Sequence, residues 1–128
     1  MKKLLFQIVL VSSISLLCFS CYYDEIPDHI LNPPELPTDP GDPDYVEFSF
    51  GDDIQPIFNA NCIGCHSSQT PILTENNAYN NIVPDYITPN DADNSALYNK
   101  VLGGGHGGLT SDETNLIKAW INQGAENN

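Results

Sequence analysis

Methionine and arginine are nearly missing from this 128-residue chain: the one methionine is Met1, there is no arginine, and four lysines face 17 acidic residues, a formal net charge of −13. So acidic a surface repels phosphate backbones, and nucleic acid is excluded as a ligand. With no methionine beyond position 1, the body of the chain has no thioether to offer a metal. No alternating apolar pattern of the strand type is present, and no internal repeat. Apolar runs are short everywhere except at the N-terminus.

That N-terminal run has the three parts of a secretory signal. Lys2 and Lys3 precede an apolar stretch from Leu4 to Leu17, which ends at small residues. The run is too short for a membrane span of about 20 apolar residues. Leu17-Cys18-Phe19-Ser20-Cys21 resembles a bacterial lipoprotein box, with Cys18 where leucine is commonest. Residues 1–20 are therefore expected to leave as a lipoprotein-type signal peptide, and Cys21 to carry lipid and anchor the chain to a membrane. Ordinary cleavage after Ser20 is the alternative, and it would leave Cys21 as an odd thiol. The expected location is the cell envelope, periplasmic or on the outer membrane or cell surface. Asp24 and Glu25 resemble the acidic surface-export signal of some Bacteroidetes-type lipoproteins.

Residues 21–47 read as a disordered tether. The stretch from Tyr22 to Glu47 holds six prolines and eight acidic residues with few large apolar groups. Such a composition cannot bury enough surface to offset the entropy of ordering. Drawn out at about 3.1 Å per residue, it would reach roughly 80 Å.

The folded unit is expected over 48–128, as an all-α domain with a thin core. Asp52 or Asp53 can cap a helix running to about Asn61, with Ile54, Ile57, Phe58 and Ala60 as its apolar stripe and Pro56 in the first turn. Thr74 can start a short helix through Ala78, Tyr79 and Ile82 that ends before Pro84. Asp93 or Asn94 can cap a third, with Leu97 and Val101, and Tyr98 and Leu102, at i, i+4, stopped by Gly103. Thr110-Ser111-Asp112-Glu113 is a capping box. It opens a last helix whose apolar face is Leu116, Ile117, Trp120 and Ile121, with Gly124 at C′.

The first helix runs into Cys62-Ile63-Gly64-Cys65-His66. Two thiols three positions apart on one turn can each add to one of the two vinyl groups of a haem, while the adjacent imidazole ligates its iron. Zinc would need a second cysteine and histidine cluster, and a thioredoxin-like pair would need a βαβ setting. A plain disulfide between Cys62 and Cys65 stays open. Covalent haem c, one per chain, is the expected cofactor, held by Cys62, Cys65 and His66, and its apolar mass would supplement the thin core.

With these residues the chain resembles the small monohaem c-type cytochrome domain, class I cytochrome c-like, of a bacterial, Bacteroidetes-type lipoprotein. Asp53-Ile54-Gln55-Pro56-Ile57-Phe58, the stretch from Thr88 to Tyr98, and the stretch from Leu116 to Ala125 carry the resemblance beside the haem motif. It implies N- and C-terminal helices packed around the haem, with Trp120 and Ile121 near Ile57 and Ala60. Many relatives place an iron-ligating methionine in the loop before the last helix. Here that loop reads Gly103-Gly104-Gly105-His106-Gly107-Gly108-Leu109.

His106 is the leading substitute, since imidazole is a common axial ligand and flanking glycines let backbone approach the haem. The alternatives are an exposed His106 over an open iron, or ligation by Lys100 or His29. Two haem functions follow. The first is a lipid-anchored electron carrier and not an enzyme, passing single electrons between envelope partners. The second is an open-site protein that binds or turns over a diatomic molecule or peroxide. A third, haem-free reading is an acidic interaction module with a Cys62–Cys65 disulfide. A redox partner with a basic docking face suits the acidic surface, although the charge also simply keeps an exported protein soluble. A monomer is expected.

Overall fold

The computed structural model describes residues 35–102 and 106–128. The signal peptide, Cys18, Cys21, His29, the tether up to residue 34 and Gly103–Gly105 lie outside the described residues. The fold is all-α, and no strand occurs among the described residues. A π-helical turn over Phe50–Ile54 leads into α1, Gln55–Asn61, and then α2, Ile63–His66; α3 is Ala78–Ile82, α4 is Ala96–Val101 and α5 is Ser111–Asn122.

The first helix starts earlier than its aspartates suggest. Ser49 is the N-cap: its hydroxyl accepts from Asp52 N–H, and the Asp53 carboxylate accepts from Ser49 N–H at 2.7 Å. Asp53 thus sits in the first turn. Pro56 explains the wide opening turn, because it has no N–H to give Asp52 O and its ring crowds that carbonyl. Gln55 N–H instead reaches back five residues to Phe50 O. Ser49, Phe50 and Gly51 are further held by Asn128, through its backbone and side-chain oxygens.

Phe50 is the hub of the core. Its ring lies 5.3 Å from Tyr79, 5.4 Å from Trp120 and 6.2 Å from Phe58, centroid to centroid. These are spacings at which aromatic pairs attract beyond simple burial. Ile54, Ile57, Ile82, Ile87, Ile117 and Ile121 fill the space around it. Trp120 is thus a core residue, its indole N–H donating to Glu126 O at 3.0 Å. It packs against the π turn through Phe50, and Ala60 is exposed and outside the stripe.

α5 follows its sequence closely. Thr110 Oγ accepts from Glu113 N–H while Glu113 accepts from Thr110 N–H, closing the capping box. At the other end Gly124 takes φ +112°, and the N–H groups of Gly124 and Ala125 return to Ile121 O and Trp120 O, a Schellman stop. α4 departs from expectation: Ser95, and neither Asp93 nor Asn94, is the N-cap. Its buried hydroxyl is occupied by Thr88 N–H and Asp91 O, so it ties down the preceding loop instead of the helix. Thr74 starts a turn one step before α3, its carbonyl accepting from Asn77 and Ala78 N–H.

Residues 35–47 form turns without helix or strand, yet lie against α5. The Gln123 amide donates to Pro37 O and Val46 O and accepts from Phe48 N–H, and Lys118 pairs with Glu35. Composition puts the domain boundary at residue 48, whereas among the described residues Glu35 and Pro37 already contact Lys118 and Gln123.

Candidate functional site

α1 ends where the thiols begin. Cys62 N–H closes on Phe58 O, and Cys62 O then accepts from both Cys65 and His66 N–H, so Cys62 is a hinge between α1 and α2. One turn carries Cys62, Cys65 and His66. Both cysteines are free thiols: Cys62 is half-buried against the core and Cys65 exposed. Burial, and secondarily the Glu113 carboxylate, push the Cys62 thiol above its usual value.

After His66 the chain loops and returns, Leu73 N–H donating to His66 O at 2.9 Å. This loop brings two carbonyls onto the imidazole. His66 Nδ1 lies 2.9 Å from Pro71 O and 3.2 Å from Gln69 O. A carbonyl oxygen can only accept, so Nδ1 is the donor of this contact, and in the neutral ring the lone pair then lies on Nε2. A histidine that ligates metal through Nε2 is usually oriented in this way by an acceptor on its other nitrogen.

His106 stands opposite, with ring centroids 6.1 Å apart and planes at 71°. A metal–imidazole nitrogen bond is about 2.0 Å and the ring centre about 1.1 Å beyond it, so two imidazoles on opposite sides of one ion have centroids about 6.2 Å apart. Ordinary edge-to-face aromatic contacts span the same distance. The Nδ1 contact of His66, rather than the spacing of the pair, is what suits that ring to a metal. Beyond His106 the chain turns left-handed at Gly107 and Gly108, φ +84° and +66°. A Cβ at Gly107 would stand 3.0 Å from the Leu109 side chain, so glycine is needed there. Leu109 is buried, and Thr110 begins α5.

The described residues contain no group of three or more His, Cys, Asp or Glu side chains arranged to hold a metal ion. Lys100 is exposed on α4, and His29 lies outside the described residues. The residues that are gathered suit a macrocycle that brings its own four nitrogens: two thiols on one turn, one oriented imidazole and a second imidazole facing it.

Sequence reasoning missed Asn61 and Glu113. Asn61 Nδ2 donates to Glu113 Oε1 at 3.0 Å, joining the residue before Cys62 to the first turn of α5. The capping box was the visible signal for Glu113, but it gave no sign of a second partner 52 residues away. The chain matches no protein-family model, no curated protein and no solved structure.

Proposed function

We propose that this chain is a monohaem c-type cytochrome, lipid-anchored through Cys21, that carries single electrons between cell-envelope partners. The observation that carries the reading is the placement of His66 on a Cys62-x-x-Cys65-His66 turn with Nδ1 2.9 Å from Pro71 O, a contact that leaves Nε2 of the neutral ring as the nitrogen suited to a metal. Cys62 and Cys65 would bind haem through thioether bonds, His66 would be the proximal ligand and His106 the distal one. When bound, the haem supplies a one-electron couple, and an imidazole in place of a thioether generally lowers its potential. The chain's own residues orient the His66 imidazole, hold the thiols on one turn and bring the His106 ring to 6.1 Å from it, centroid to centroid. The acidic surface suits a redox partner with a basic face, and docking would weaken as salt screens it.

Haem staining after denaturing electrophoresis tests the reading, using protein matured in a host that attaches haem c. Covalent haem is expected, and it should be lost in the Cys62→Ala, Cys65→Ala double variant. The ferric and reduced spectra should be low-spin and lack the methionine-to-iron band. His106→Ala should convert them to high-spin. An unstained band defeats the haem reading. A wild-type spectrum that is high-spin and shifts with carbon monoxide makes the open-site reading the better one.

A further inference from the structure

A second inference rests on the electron-carrier reading and concerns a carboxylate between the two halves of the site. Glu113 Oε2 accepts from Thr110 N–H at 2.8 Å and from Thr110 Oγ at 2.9 Å, and its Oε1 accepts from Asn61 Nδ2 at 3.0 Å. The other Asn61 amide hydrogen goes to Ile57 O at 3.2 Å. Thr110 lies four residues after His106, and Asn61 stands immediately before Cys62 and five residues before His66. One side chain therefore ties the end of the distal loop to the beginning of the proximal turn.

The helix cap does not require this link. Thr110 and Glu113 complete the capping box by themselves, and Asn61 already has Ile57 O as a local partner. The distal loop does require an anchor. Left-handed glycines follow His106 directly, and glycine backbone is the most costly to hold in one conformation. A hydrogen bond to a carboxylate is among the stronger ones available for that task.

We infer that Asn61 and Glu113 are positioning residues, a brace that holds the His106 loop against the Cys62–His66 turn and keeps the two imidazoles facing each other. Removing Asn61 takes away the brace and leaves the α5 cap in place. His106 should then leave the axial position more often, and an external ligand should compete with it more easily.

The experiment is cyanide titration of the ferric holoprotein, followed in the visible spectrum, for wild type, Asn61→Ala, Asn61→Asp, His106→Ala and the Asn61→Ala, His106→Ala double variant. Asn61→Ala should raise cyanide affinity about tenfold or more, equivalent to about 1.4 kcal/mol. Asn61→Asp, which keeps the side-chain volume but sets a carboxylate against Glu113, should move it in the same direction. With His106 absent there is nothing to position, so adding Asn61→Ala should change the affinity by less than about twofold, as a cycle of coupled residues requires. Wild-type affinity in both Asn61 variants overturns the brace. So does an Asn61→Ala effect of equal size in the His106→Ala background, which would mean general loosening. A haem-bearing wild type that binds cyanide as His106→Ala does overturns it as well, since His106 would then hold no axial position. A wild-type chain without covalent haem overturns the electron-carrier reading itself, and is recognised before any titration begins.

Discussion

At His66 one contact decides what the side chain can do: the Pro71 carbonyl accepts from Nδ1–H, and in the neutral ring Nε2 is then the nitrogen with the lone pair. The sequence makes the two thiols and the imidazole legible because their spacing is local. Pro71 gives no such signal, because its part is played by a backbone oxygen placed by the loop that closes from His66 to Leu73. Glu113 is legible only in half, as the third residue after an N-cap threonine. Its carboxyl is held below the usual glutamate range, first by Thr110 N–H and then by the Thr110 hydroxyl; burial opposes them, and Asn61 adds the smallest lowering. In the folded chain it binds a proton less readily than in the unfolded one. Its contribution to stability is therefore complete above the unfolded value of about 4.3 and disappears as pH falls through the lower folded value. Thermal melts of wild type and Glu113→Gln from pH 7 to pH 3 should show a gap that closes on the acid side. A gap independent of pH would mean that the charge on Glu113 contributes nothing.

Among the elements, those whose signals lie within one turn match the sequence, and those set by distant partners do not. The α5 box, apolar face and glycine stop are all local, and all three are present. The start of the first helix is displaced because Pro56 acts backwards, opening the chain into a wide turn that Ser49 caps. Ser95 takes the N-cap of α4 because its hydroxyl is held by Thr88 and Asp91, a loop closure that no cap preference encodes. Gln55 is the clearest tertiary override. A polar residue in the apolar stretch of α1, it is only 3% exposed, its amide donating to Asn59 and to Leu73 O. It thereby pins the loop that returns from His66. At α5 the measurable consequence is the cap. Thr110→Ala removes the acceptor of Glu113 N–H and should cost about 1 kcal/mol, within the usual 0.5 to 2. In a domain of this size that lowers the melting temperature by roughly 4 to 8 °C. The variant keeps the backbone N–H bond to Glu113 Oε2, so a melt unchanged to within a degree would count against the Thr110 hydroxyl as the cap.

For the whole molecule, the contacts of residues 35–47 change what a tether can mean. Proline and acidic content predict a disordered, extended segment, and composition cannot foresee that a glutamine on the last turn of a helix 75 residues downstream of Phe48 will collect three backbone groups. The Glu35–Lys118 pair is a surface contact with the Glu35 side chain 75% exposed, and such pairs contribute little. The Gln123 amide is the stronger fastening, because its three partners lie on both sides of the turn at Asp39–Tyr45. If Cys21 carries lipid, only residues 22–34 separate the anchor from the docked strap, and fully extended they span at most about 45 Å rather than the roughly 80 Å expected of an open tether. With the proposed lipid on Cys21, a shorter leash would keep the domain at higher effective concentration near membrane-bound partners. Gln123→Ala should release the strap. The Phe48 amide, which donates to Gln123 Oε1 at 2.9 Å, should then exchange its hydrogen about tenfold faster or more, and residues 37–46 should become open to limited proteolysis. Raising salt in the wild type should do much less, since the ion pair it weakens here, Glu35–Lys118, is a surface contact. Equal Phe48 protection in wild type and Gln123→Ala would show that the amide does not hold the strap, and salt sensitivity as large as the variant's effect would transfer that role to the ion pair.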